Sequence, residues 1–250
     1  MNFDIFIPVR LGNTRLPKKA LKHCNNKPII LDLVERLSTI KNVRNIVICT
    51  TESVSDDELA SLLNSKDILV FRGSERDTLS RFLGAAQKFG TDVIINVDGD
   101  DIYTDPKHIE SLIKKFENEK PDFIDMIGFP FGFRSVAFSR DALEKLCMLK
   151  NTEITDTHYR DFFIKSELFQ ISYLKYDKKF PKNIRLTLDY PEDYELAKKI
   201  FSKLGNNFHL ENIIDLFNKE PELLFLTENL DEKWKTHYDD DVQDFTLKKL

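Results

Sequence analysis

Apolar positions in the first half of the chain fall into short dense clusters that alternate with longer stretches carrying a single apolar face. Residues 3–9, 45–50, 67–71 and 92–97 are clusters of the first kind and predict strands; 45–50, a continuous run, predicts one covered on both faces. Between them, residues 29–40 (IILDLVERLSTI) show helical periodicity. Ser55-Asp56-Asp57-Glu58 reads as a hydroxyl N-cap followed by an acidic first turn, opening a helix to residue 64. A third helix is predicted over 77–89, stopped by Gly90, and a fourth from Pro106 to residue 117, with proline in its first turn. This strand–helix alternation predicts an α/β fold, a mostly parallel sheet with helices on both faces. Ligands of such sheets bind beyond the carboxyl ends of the strands. The loops after residues 9, 71 and 97 are therefore expected to converge on one crevice.

The second half is less regular. Residues 124–133 form an apolar stretch with a Gly-Phe-Pro-Phe-Gly-Phe centre, a strand or an aromatic-rich loop. Helices are predicted over 139–149, 191–204 and 210–218, and strands over 170–176 and 184–188, the last ending at Asp189. Pro191-Glu192-Asp193 and Gly205 are start and stop signals for the second of these helices. The tail from 231 to 250 is highly charged, with a lone Trp234 and the run Asp239-Asp240-Asp241; a solvated terminus is the expectation there, ahead of metal binding.

Composition narrows the class. The chain has 250 residues, 41% hydrophobic and 32% charged, ordinary for a globular protein with a substantial core. Its 37 basic and 42 acidic residues leave a net charge of −5, which argues against a general nucleic-acid binder. Three scattered cysteines, Cys24, Cys49 and Cys147, suit neither a disulfide framework nor a zinc site. No secretory leader and no apolar run of membrane length is read, so a cytoplasmic protein without a membrane partner is expected.

Two features carry chemistry. The first apolar run opens into Arg10-Leu11-Gly12-Asn13-Thr14-Arg15-Leu16-Pro17-Lys18-Lys19. Glycine lets backbone approach a ligand, loop amides can line a concave anion site, and four cations supply charge. A triphosphate is the guest expected there. The second feature is a pair of acidic strand ends, Asp98-Gly99-Asp100 and the distant Asp189. A nucleoside triphosphate arrives with Mg²⁺, which takes one or two carboxylates plus phosphate oxygens and waters. Turn or helix capping by the same aspartates remains open beside that reading.

In their order along the chain, IPVRLGNTRLPKKAL, FRGSERDTLSRFLGAA, INVDGDDIYTDP, GFPFGF with AFSRDALE, and LTLDYPEDYELAKKI resemble the cytidylyltransferases. The spore-coat-polysaccharide type is the nearer resemblance, and the CMP-Kdo and CMP-sialic acid synthetases are more distant. The resemblance spans residues 3–204. It implies a Rossmann-like nucleotidyltransferase fold that uses CTP and Mg²⁺ to make a CMP-activated product and pyrophosphate. It implies a nucleotidyltransferase unit over residues 1–207, followed by a C-terminal helix and charged tail over 208–250. By motif position, Arg10, Lys19 and Asp100 carry catalysis, and Asp100 and Asp189 hold the metal. Leu11, Gly12, Asn13, Thr14 and Arg15 line the triphosphate loop. Arg72, Gly73, Ser74 and Asp77 face the base or ribose, and Asp98 lies beside the nucleotide. His158, in Thr155-Asp156-Thr157-His158-Tyr159, falls in the acceptor-side region, or is simply a histidine on a helix face. A homodimer is a further expectation of the family.

Two departures from the family pattern bear on substrate. Lys18 stands where the family usually has glycine. Arg134-Ser135-Val136-Ala137 replaces the acidic residues that relatives commonly carry after GFPFG, so Arg134 is expected to read a small anionic acceptor: an acidic sugar, a sugar phosphate or a phosphonate. Two alternatives stay open. Asp98-Gly99-Asp100 is also the DxD pattern of glycosyltransferases that use a nucleotide sugar, and a nucleotide-binding subunit without turnover would keep the same loop.

Overall fold

Seven strands form one sheet in the computed structural model, which describes residues 1–156, 159–181 and 183–241, with side chains to residue 236. They are β1 (Phe3–Pro8), β2 (Asn45–Thr51), β3 (Leu69–Gly73), β4 (Val93–Asn96), β5 (Phe123–Ile127), β6 (Val136–Ser139) and β7 (Ile171–Lys175). The order is β3-β2-β1-β4-β6-β5-β7. Only β6 runs antiparallel to its neighbours β4 and β5. The chain steps outward from β1 through β2 to β3, then returns to place β4 on the other side of β1. That reversal puts a switch point at the carboxyl ends of β1 and β4, where a doubly wound sheet opens its crevice.

The helices are α1 (Ile29–Leu37), α2 (Asp57–Asn64), α3 (Thr78–Phe89), α4 (Pro106–Glu119), α5 (Arg140–Leu149), α6 (Tyr159–Lys165), α7 (Pro191–Leu204), α8 (Leu210–Lys219) and α9 (Leu230–Asp241). Side chains of β1 alternate across the sheet. Ile5 and Ile7 pack with α1, α2 and α4 on one face, and Phe6 packs with α3, α5 and α6 on the other. A third cluster sits across the carboxyl ends, where α7, α8 and residues 184–188 enclose Leu16, Ile29 and Tyr103. The expected break after residue 207 falls within that cluster.

Several expectations are corrected. Residues 184–188 do not join the sheet; their ladder contact is a single parallel bridge between Arg185 and Phe131. The preceding loop is the reason. Gly128 and Gly132 hold φ of 77° and 78°, a conformation open to glycine. They fold the loop under the segment so closely that a Cβ on Gly132 would lie 2.4 Å from the Leu186 carbonyl. β6 is missed in the sequence because its four residues run straight into α5, which Ser139 caps through a bond from the Ala142 amide. Ser55 is not a cap: residues 54–56 form a 3-10 turn, and α2 starts at Asp57. The charged tail is helical through Asp241, with Trp234 packed edge-on to Phe131. The side chains of Asp239-Asp240-Asp241 and all of His158 lie outside the described residues.

Candidate active site

Lys19 sits at the centre of the crevice because the loop makes one sharp turn before it. Lys18 takes φ 53° and ψ 33°, the left-handed region that costs a side-chain-bearing residue free energy and that glycine occupies readily. Glycine would adopt this turn at lower cost, and this chain makes it with a lysine whose ammonium pairs with Glu58 at 2.5 Å. Lys19 then turns inward on its own 3-10 turn and is 9% exposed.

The Lys19 Nζ lies 2.7 Å from Asp100 Oδ2 and 3.1 Å from Asp189 Oδ1. Asp100 leaves the end of β4 and Asp189 precedes α7, so two carboxylates from distant segments face one cationic nitrogen. Asp189 also receives Arg15 Nη2 at 3.2 Å and Arg185 Nη2 at 3.2 Å. It is not the cap of α7. Asp193 does that work, accepting the amides of Asp189 and Tyr190 at 2.9 Å each, which leaves the Asp189 carboxylate to the cations. Asp98 accepts from Asn96 Nδ2 at 2.8 Å and from Arg160 Nη2 at 3.1 Å. Gly99 is required between the two aspartates. A Cβ there would come within 2.9 Å of Val9 Cβ, where the β4 loop presses on the end of β1.

The electrostatics follow from crowding. Burial works against the Lys19 charge, but Asp100 and Asp189 outweigh it and raise the ammonium pKa above its ordinary value. Burial, with Asp189 and Asp98 adding repulsion, lifts Asp100 despite the pull of Lys19. Asp101 is buried beside Asp98 and Asp100 and is raised well above the carboxylate range. Asp189 goes the other way. Burial alone would raise it, yet Lys19, then Arg15 and Arg185, hold it below its usual value.

The other expected site residues are placed as follows. Arg10 points across the crevice to Asp156 at 3.1 Å. Gly12 and Thr14 are exposed, and a Cβ on Gly12 would meet nothing within 4 Å. Two loop amides are already engaged by the protein: Leu11 N donates to Asp56 at 2.7 Å and Leu16 N to Asn13 Oδ1 at 2.9 Å. Arg72 donates to the carbonyls of Thr51 and Ser53 at 2.7 and 2.9 Å and pairs with Asp57 at 2.7 Å. It thereby lines a separate groove of about 680 Å³ at the β3 edge with Ala60, Phe71 and Lys88. Gly73 packs on Phe71 and Arg81. Ser74 Oγ accepts the Asp77 amide at 3.1 Å. Asp77 caps α3 at Ser80 N and also accepts Thr155 Oγ1 at 2.8 Å and Lys150 Nζ at 2.5 Å. Burial would raise it, but the bonds from Lys150, Ser80 and Thr155 hold its pKa below the ordinary value. Among the described residues, it ties the α3 start to the 150–156 loop rather than presenting a free carboxylate.

Arg134 does not present a free fork. Its Nε donates to Asp125 Oδ1 at 2.8 Å and its Nη2 to Asp125 Oδ2, and Asp125 is 1% exposed. The cation expected to read the acceptor is neutralising a buried carboxylate, and its carbonyl accepts Arg160 at 2.9 Å. Arg134→Ala is therefore expected to cost about 3 kcal/mol of stability by stranding Asp125, measured by urea denaturation. A change in acceptor KM at unaltered stability would restore the acceptor-reading role.

Four residues of the site are not singled out by the sequence reading. Asp56 fixes the loop through Leu11, Asp156 faces Arg10, Arg160 faces Asp98, and Arg185 holds Asp189. Arg185 does leave a signal, a cation between Ile184 and Leu186 in a segment with no other charge before Asp189.

Comparison with known proteins agrees with this fold. A family model described as cytidylyltransferase matches residues 5–229. The spore coat polysaccharide biosynthesis protein SpsF of Bacillus subtilis is 28% identical, over 89% of this chain and 97% of its own. The structure of a cytidylyltransferase from Leptospira borgpetersenii aligns with a TM-score of 0.83 at 28% identity, covering 90% of this chain and 97% of that one. At 16% identity, the structure of CMP:2-keto-3-deoxy-manno-octonic acid synthetase complexed with CTP shares the fold, with a TM-score of 0.66 over 81% of this chain and 99% of that one. The chain belongs to the cytidylyltransferase family and is a nucleotidyltransferase of α/β fold.

Proposed function

We propose that the chain transfers the cytidylyl group of CTP to a small anionic acceptor, an acidic sugar foremost, and releases pyrophosphate, in surface glycan synthesis. The observation that carries this reading is the meeting of Lys19, Asp100 and Asp189 at the β1–β4 switch point. The acceptor class is supported by what two similar proteins are, one a spore coat polysaccharide biosynthesis protein and one a keto-deoxy sugar acid synthetase. The glycosyltransferase reading of Asp98-Gly99-Asp100 falls with the family.

The donor set fits a divalent cation. Asp100 and Asp189 present hard oxygens to one point where a cation already sits as the Lys19 ammonium, and the crowding that raises Asp100 favours more positive charge there. Among the described residues no cage of three or more acidic, cysteine or histidine ligands is found, so an ion held by these two carboxylates would complete its shell with phosphate oxygens and water, as Mg²⁺ does. Bound there, it would neutralise charge on the phosphoryl oxygens and lower the pKa of an acceptor hydroxyl.

The chain's own residues position and neutralise. An acceptor oxygen bonds to the α-phosphorus of CTP as the bond to the pyrophosphate oxygen breaks, and the acceptor proton leaves to solvent. Little covalent work falls to the protein, so alignment and charge placement supply the rate. Lys19, Arg15 and Arg10 line the loop side of the crevice, where negative charge grows on the leaving pyrophosphate. The test is pyrophosphate release from CTP, ATP, GTP and UTP with Mg²⁺ against a panel of acidic sugars, sugar phosphates and phosphonates. Release with CTP and an anionic acceptor is expected. Preference for another nucleotide, or for neutral sugars alone, would overturn the reading, and CTP binding without turnover across the panel would return the non-catalytic alternative.

A further inference from the structure

We infer that α9 belongs to the active site and that its Asp231 is a positioning residue, setting how strongly Arg185 competes for Asp189. The inference rests on the reading of Asp189 as a cation ligand.

The Arg185 guanidinium is 1% exposed and divides its three nitrogens among three carboxylates. Nε meets Asp193 at 2.9 Å, Nη1 meets Asp231 at 2.8 Å, and Nη2 meets Asp189 Oδ2 at 3.2 Å. Phe131 and Tyr190 cover it, their ring centres 4.8 and 5.7 Å from its central carbon. The fork is planar and cannot lose its proton, so the three partners share one fixed charge. Asp193 is pinned by the amides of Asp189 and Tyr190. Asp231 is the partner supplied from outside the family-matched segment, which ends at residue 229, one residue before α9 begins. The helix is seated for this purpose by two further contacts. Trp234 packs against Phe131 at 4.9 Å between ring centres, and Lys233 Nζ lies 4.6 Å from the centre of the Tyr190 ring. Both aromatic rings that cover Arg185 are thus touched by α9.

Asp189 divides its oxygens, Oδ1 toward Lys19 and Arg15, Oδ2 toward Arg185. Without the Asp231 charge, Arg185 has two carboxylates left and draws harder on Asp189. A nearby negative charge is lost as well. Both changes weaken a cation held by Asp189.

The probe is Mn²⁺ bound to the CTP-loaded full chain, followed by the resonance of free Mn²⁺, with melting temperatures alongside. Asp231→Asn is expected to weaken Mn²⁺ binding by about tenfold, the low end of what loss of an outer partner of a metal ligand costs, because Asp231 acts through Arg185, and Asp231→Glu is expected to restore it. Glu232→Gln, which removes an exposed charge one position along α9 and leaves the Asp231–Arg185 pair in place, is expected to leave Mn²⁺ affinity unchanged. Equal Mn²⁺ affinity in wild type and Asp231→Asn would overturn the inference alone, as would an equal loss in Glu232→Gln. A wild-type chain that takes up no Mn²⁺ with CTP would overturn the reading of the site, and this inference with it.

Discussion

Replacing Lys19 with methionine is expected to lower the melting temperature by roughly 10 °C at neutral pH and by less at pH 4. Methionine keeps much of the aliphatic volume and removes a cation that touches both Asp100 and Asp189. Breaking a buried pair by removing one partner costs about 3–5 kcal/mol, because the other charge is left without compensation, and each kcal/mol moves the melting temperature of a chain this size by about 2–4 °C. The pH dependence follows from the directions of the shifts. Lys19 is raised, so its stabilisation is fully present below the unfolded lysine value and lost only as pH rises through the still higher folded one. The wild type therefore gains a constant amount from Lys19 across neutral pH. In the variant, Asp100 and Asp189 must ionise beside each other with less compensation, a cost incurred above the unfolded carboxylate value of about 4 and relieved as pH falls below it. Melting curves at pH 4 and pH 7.5 in a chelator separate this from lost packing, which would cost the same at both. Turnover should suffer separately. Losing one positioned charge at a reacting phosphate is expected to cost about two to three orders of magnitude in kcat/KM for CTP.

The strands that carry this site are legible in the sequence because β1, β2 and β4 are dense in apolar residues and bounded by polar loops, and the alternation with helices orders them. The ends of β1 and β4 then follow as neighbours around a crevice. The partners of the cations are not legible, since pairing depends on segments far apart in the chain. Arg72 and Arg134 look like free cations beside a motif, yet one is held by the carbonyls of Thr51 and Ser53 and the other by a buried carboxylate nine positions earlier. Leu11 lends its amide to Asp56, a residue that reads locally as part of a helix start. Residues 184–188 alternate like a strand, and their exclusion from the sheet depends on two left-handed glycines more than fifty positions away. The tail misleads for a related reason. Its charges suggest solvation, but Asp231 and Trp234 find a buried arginine and an aromatic loop that no local pattern announces.

Asp100→Asn is expected to lower kcat by at least about a thousandfold while leaving the melting temperature nearly unchanged, and the contrast with Asp189→Asn gives the result its meaning. Both carboxylates face the point where a divalent cation would sit, so either amide should remove the several kcal/mol that such an ion supplies to phosphoryl transfer. Their surroundings differ. Asp100 is raised by burial and by Asp189 and Asp98, so at neutral pH its charge is held against an opposing field, and Lys19 keeps Asp189 at 3.1 Å when that charge goes. Asp189 is held below its usual value by Lys19, Arg15 and Arg185. Its stabilisation is present above the unfolded carboxylate value and lost as pH falls through the lower folded one, so Asp189→Asn removes stability at neutral pH. It also leaves Arg15 and Arg185 short of a partner in a region where unpaired charge is costly. Pyrophosphate release and melting temperature, measured on both variants, should therefore show matched losses of turnover and unmatched stability. If Asp100→Asn kept more than about a tenth of wild-type kcat, Asp100 would be a structural partner of Lys19 and the catalytic burden would rest on Asp189 with the loop cations.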